Sequence, residues 1–152
     1  MIRLFDRFSH STAGFVLALL FLAAVGAVYF FPASYWFTVE RVQVENSKVG
    51  QPVSMTVKRT VNTAFVGSWY VTVRQWDGAW VPYCAARGDA YYQPDSRLPA
   101  DLTLTWWTDE KPRCSNLPVG KYEMLTRWVI KGKGILPDKE ISMLSNTFLV
   151  NP

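Results

Sequence analysis

The longest apolar run of this 152-residue chain extends from Ala13 to Phe31, 19 residues whose only polar side chain is Tyr29. No other feature constrains the fold so tightly. At about 1.5 Å per residue, a helix of that length reaches roughly 28 Å, close to the hydrocarbon thickness of a bilayer. Leu, Phe, Val and Ala cover every face with no polar stripe at helical spacing, which argues against an amphipathic surface helix. The run therefore predicts a transmembrane helix over residues 13–31. Arg3 and Arg7, set against Asp6, make residues 1–12 a short basic cytoplasmic tail, and no Lys or Arg follows the run until Arg41. Pro32 ends the helix, and residues 32–37 read as an aromatic interfacial linker, with Tyr29, Tyr35 and Trp36 at the membrane interface. The expected location is a bacterial-type inner membrane, single-pass, with the N-terminus cytoplasmic and the C-terminal domain periplasmic or otherwise extracytoplasmic. The rival readings are a secretory signal cleaved after Ala27, in "AAVGA", and a buried soluble helix. Small residues spaced four apart, at Gly14 and Ala18 and at Ala23 and Ala27, would let two such helices approach as a homo-oligomer.

Residues 38–152 have the length of one domain with one hydrophobic core. The whole chain holds 16 Lys and Arg against 12 Asp and Glu. That small excess is spread out rather than clustered, so no nucleic-acid partner is expected. Apolar and polar residues alternate with the period of strands: Val42 and Val44 against Arg41, Gln43 and Glu45, then Val53, Met55 and Val57 against Ser54, Thr56 and Lys58. "SWYVTVRQW", "DG" and "AWVPYCA" read as a hairpin, with Asp77-Gly78 supplying the positive φ angles of a two-residue type I′ turn. Further strands are predicted over Leu102–Trp107, Lys121–Ile130 and Ile141–Val150, with Ala85–Ala100 as the longest irregular region. About seven strands with Pro, Gly, Asp and Asn between them suggest an all-β antiparallel sandwich of two sheets.

"Leu117-Pro-Val-Gly120-Lys-Tyr122-Glu-Met124" resembles the turn into strand F of immunoglobulin-like and fibronectin-like sandwiches, where a Gly-x-Tyr pattern forms a tyrosine corner. The resemblance implies a core Trp at Trp69 on strand C. It departs at the inter-sheet cysteines, because Met124 and Met55 stand where they would lie. Folds of this kind host many functions, so the resemblance assigns none.

Cys84 and Cys114 are the only cysteines. An even count in an exported domain predicts a disulfide, with two buried free thiols as the alternative. His10 is the only histidine and precedes the apolar run, so no Ser-His-Asp, Cys-His or His-based zinc site is expected in residues 38–152. Asp109 and Glu110 are adjacent and read as a solvated turn, and "Gly132-Lys-Gly134" reads as a hairpin tip. No catalytic, cofactor-binding or metal residues are assigned, and the protein is expected not to be an enzyme.

Aromatic residues make up 15% of the chain, and most must be core; those left over either pack under long loops or form a binding patch. On a strand, Trp106 and Trp107 would face opposite sides, and Trp76 shares the outward face with Tyr70, Thr72 and Arg74. Trp76, Trp80, Tyr91, Tyr92, Trp106 and Trp107 form the expected interaction surface. Three functions fit: a membrane-anchored module binding a protein partner, as an accessory subunit of an envelope or membrane complex; a carbohydrate or cell-wall binding module; and a phage-encoded envelope protein acting in lysis or superinfection exclusion.

Overall fold

The computed structural model describes residues 3–96, 98–108, 112–134 and 136–152, and their side chains except at 3–11, 27–28, 108 and 112. Helix α1 occupies Arg3–Phe30. Among the described residues no helix is long and apolar enough to cross a membrane. This corrects the expected transmembrane span over 13–31 and the single-pass inner-membrane location built on it. The side chains of Arg3, Asp6, Arg7 and His10 lie outside the described ones, as do residues Asp109 and Glu110.

Pro32 stands two residues past the last residue of α1 and leads into a 3-10 turn at Ala33–Tyr35. The last turn of α1 contains no basic residue. Lys139, distant in sequence, compensates by donating from Nζ to the Tyr29 carbonyl, where the helix dipole is negative. Residues 34–36 are held against the following domain by Asn62, whose Nδ2 donates to the Ser34 carbonyl at 2.9 Å and whose N–H donates to the Trp36 carbonyl at 2.8 Å.

The rest is mostly β-strands in sheets. The strands are β1 (Phe37–Val44), β2 (Ser47–Lys48), β3 (Ser54–Val61), β4 (Phe65–Trp76), β5 (Trp80–Tyr92), β6 (Asp101–Thr103), β7 (Gly120–Ile130), β8 (Lys139–Leu144) and β9 (Phe148–Asn151). Two short helices, α2 (Leu104–Thr108) and α3 (Pro112–Ser115), lie between β6 and β7. One sheet has the order β1-β3-β6 and the other β2-β9-β7-β4-β5, with β8 also paired to β7. All pairings are antiparallel except β2 with β9.

The period-2 reading holds where one strand face meets the core. Val42, Val44, Val53, Met55 and Val57 are all buried, and Arg41, Gln43 and Glu45 are exposed. On β7 the inward set is Tyr122, Met124, Thr126, Trp128 and Ile130. Trp128, 1% exposed, is the central indole, with Phe37 at 5.4 Å and Trp107 at 6.3 Å between ring centroids. Trp69 was expected in that role. It is inward-facing but only half-buried, packed against the edge of the core. The Tyr122 hydroxyl donates to the Pro118 carbonyl at 2.9 Å, closing the turn into β7.

Several local expectations are corrected. The predicted strand over Ile141–Val150 is two strands, since Ser145 breaks the ladder and bonds Met124 through both its N–H and its hydroxyl. Strand β5 continues through the region expected to be irregular as far as Tyr92, because the 12-residue β4 offers it a partner along its whole length. The hairpin loop has three residues, Asp77 to Ala79, with Trp76 paired to Trp80 and positive φ only at Gly78. Leu102–Trp107 is not one strand: β6 ends at Thr103, whose Oγ1 accepts from the Trp106 N–H at 3.4 Å and starts α2.

The bridge between Cys84 and Cys114 is present, with Cα atoms 5.6 Å apart. Register explains how Cys84 reaches it. Val73 pairs with Cys84 and Arg74 with Pro82, leaving Tyr83 as an extra residue in a β-bulge. The bulge brings Tyr83 toward the inward-facing Tyr122, their ring centroids 6.0 Å apart, beside Cys84. Pro82 is tolerated there because β5 is an edge strand.

Candidate functional site

The most concentrated exposed aromatic cluster on the domain stands at the end of the β4–β5 hairpin. Trp76 and Trp80 are cross-strand partners on the outer face of the larger sheet, with ring centroids 5.2 Å apart and planes at 68°. Trp76 is 45% exposed and Trp80 half-buried. Lys121, at the start of β7, places its Nζ 5.6 Å from the Trp76 ring centroid and 5.9 Å from that of Trp80. Directly opposite Lys121 in the ladder is Leu149 on β9, also exposed. Two indoles, an ammonium group and an aliphatic side chain thus share one patch. Cation–π attraction orients the ammonium while leaving it facing solvent.

Below this patch, Arg74 and the buried Glu123 form an ion pair, N to O 2.5 Å, with Glu123 only 5% exposed. The pair joins β4 to β7 and stiffens the base on which Trp76 stands. Arg127 lies 4.7 Å over the Tyr70 ring further along the same face.

The other predicted surface residues separate. Tyr91 is exposed, but Tyr92 is 5% exposed and stacks on Phe65 at 4.6 Å in the core. Trp106 is 56% exposed on α2, whereas Trp107 is 4% exposed and stacks on Trp69 at 6.4 Å. Tyr92 and Trp107 are therefore corrected from surface to core: Tyr92 lies on the inward face of β5, and the helical turn of α2 points Trp107 under Trp69. Trp106 borders an open groove of about 540 Å³ with Glu45, Met55, Asp101, Leu102 and Thr103. Tyr29 and Tyr35 are exposed and Trp36 is half-buried. A smaller cavity of about 280 Å³ lies by Trp36, between Phe65, Ile130, Lys131 and Lys139. There Asp138 accepts from Lys131 and from the Gly132 N–H, which raises the Lys131 ammonium and lowers the Asp138 carboxyl from their ordinary pKa values.

Lys121 and Leu149 were not singled out from sequence. Their membership follows from register: counting back one residue from the Gln75–Tyr122 pair puts Lys121 beside Trp76. Among the described residues no cluster of His, Cys, Asp and Glu could hold a metal ion. The patch can bind, through apolar contact, cation–π geometry and one accessible positive charge.

The chain matches no protein-family model, no curated protein and no solved structure.

Proposed function

We propose that the domain is a non-enzymatic module that binds a protein partner through the Trp76–Trp80–Lys121 patch. The observation that carries this reading is the exposed indole pair with an ammonium over both rings. Aromatic side chains anchor protein interfaces because they bury a large area at little entropic cost, and Lys121 selects a partner surface with acidic groups near its apolar centre. A sugar ring would stack on an open indole face, but here the two planes are inclined at 68° and Lys121 stands over both. That arrangement favours a protein over a glycan. The sandwich itself we read as immunoglobulin-like. Supporting this are the strand order, with β2 joining β9 in parallel at the sheet edge, and the Tyr122 to Pro118 bond at the turn into β7.

The test is site-specific photo-crosslinking in the native cell, with a benzophenone amino acid at position 76 and, as control, at the exposed Lys58 on the opposite sheet. A protein adduct formed from position 76, absent from position 58 and lost in Lys121→Glu, is the expected result. Adducts common to both positions, or retention on purified cell-wall glycan that Trp76→Ala abolishes, would overturn it.

A further inference from the structure

The outer edge of β5 is a second surface, separate from the patch. β5 is the last strand of its sheet and 13 residues long. Among the described residues its backbone hydrogen bonds run to β4 alone. Long edge strands are usually protected by like charges, proline or a bulge. Here Pro82 and the bulge guard only the hairpin end, and residues 84–92 carry one charge of each sign, Arg87 and Asp89, on either side of Gly88.

That stretch is complementary to itself when reversed. We infer that β5 pairs antiparallel with the β5 edge of a second copy of this chain, about a two-fold axis at Gly88, so that the larger sheets of two molecules become continuous. In this register Arg87 faces Asp89 of the second copy and Asp89 faces its Arg87. Ala85 meets the large Tyr91, Ala86 meets Ala90, and Gly88 meets itself. Moving the axis by one residue in either direction would set Arg87 against Arg87 or Asp89 against Asp89, so charge selects the register. Both charged side chains are exposed on the outer face. Asp89 is held there by the Ser68 hydroxyl, which donates to its Oδ1 at 2.6 Å.

The inner side of the edge points the same way. A Cβ on Gly88 would stand 2.6 Å from the Trp69 ring, so the indole lies directly over Gly88. Trp69 faces inward yet is only half-buried. Pairing at Gly88 would bring the second copy's strand alongside the part of that indole which Trp107 and Gly88 leave exposed.

The test is the oligomeric state of the full chain by sedimentation equilibrium over a wide concentration range, in one buffer and one mild detergent. The expected result is a dimer. Arg87→Asp should raise its Kd at least about tenfold, because two favourable pairs become two Asp–Asp pairs, and the swap Arg87→Asp/Asp89→Arg should restore it to within about threefold. A monomer at every concentration, a dimer indifferent to Arg87→Asp, or one that the swap does not restore would overturn the inference. Hydrogen exchange of the wild-type chain provides a reading independent of the folding of variants. Amides of residues 84–92 should gain protection with concentration, and protection that does not change with concentration would equally overturn it.

Discussion

Replacing both Cys84 and Cys114 with alanine removes the one covalent closure in the domain, and the structure sets the size of the effect. The bridge spans a sequence separation of 30 residues. Closing a loop of that length removes about 3.6 kcal/mol of unfolded-chain entropy at 25 °C in the chain-entropy model. The segment it encloses holds most of β5, all of β6, and α2 and α3. Leu104 and Trp107, from the same segment, are 2% and 4% exposed in the common core. The variant should therefore fold, with its stability reduced by about 3–4 kcal/mol. Urea unfolding followed by tryptophan fluorescence should show the midpoint falling by about 2 M at an ordinary m-value for this size. Either single substitution should cost nearly as much as the pair, since each opens the same loop. A loss below about 1 kcal/mol would refute the view that the bridge stabilises chiefly by restricting the unfolded chain.

Trp128→Ala should cost about 3–5 kcal/mol through the cavity it leaves, while Trp76→Ala should cost under about 1 kcal/mol; denaturant titration of the two variants side by side checks the contrast. Tyr122 is fully buried and its hydroxyl is raised by desolvation, then by neighbouring Tyr83, from 10.0 to about 12. The unfolded chain loses that proton first, so this contribution is complete below pH 10 and declines between pH 10 and about 12, by about 1.4 kcal/mol per pH unit. Tyr122→Phe should flatten that decline in stability measured against pH. Arg74→Met strands the buried Glu123 carboxylate and should cost about 3 kcal/mol, whereas Arg74→Met/Glu123→Leu should recover most of it; a double-mutant cycle reads the coupling.

What was legible in the sequence was whatever depends on a residue's own neighbours. The inward sets on β1 and β3 follow from alternation, and the break after α1 follows from Pro32. The errors lie where a distant partner decides. β5 extends to Tyr92 because β4 runs alongside it, although "Ala85-Ala-Arg-Gly88-Asp-Ala90" carries few β-branched residues of its own. Its small inward residues at 86, 88 and 90 suit a position beneath Trp69, which no local pattern reveals. The Trp106–Trp107 segment was read as a strand although Thr103, three residues before Trp106, was available as a helix cap. The N-terminal apolar run was long enough as a string of letters, but among the described residues no helix is long and apolar enough to cross a membrane. For the candidate site, Trp76 was legible by parity, while Lys121 and Leu149 needed the registers of β7 with β4 and β9.

Asn146 has a consequence for how the chain is made. Its side-chain amide accepts from the Val44 N–H at 2.7 Å and donates to the Val44 carbonyl at 2.9 Å, acting as one peptide unit of a strand that the first sheet otherwise lacks. Asn46 likewise accepts from the Leu149 N–H at 2.8 Å, and β2 lies parallel to β9. Contacts separated by more than 100 positions thus close the domain at one seam. On the ribosome, β1 and β2 emerge long before their partners in residues 146–151 exist. The β3–β1 hairpin and the β4–β5 hairpin can form as they appear, but β2 has no strand to join until β9 has left the exit tunnel. During that interval the β5 edge and the unclosed seam are both open, so translation speed and chain concentration bear on the yield of folded protein as directly as the final stability does.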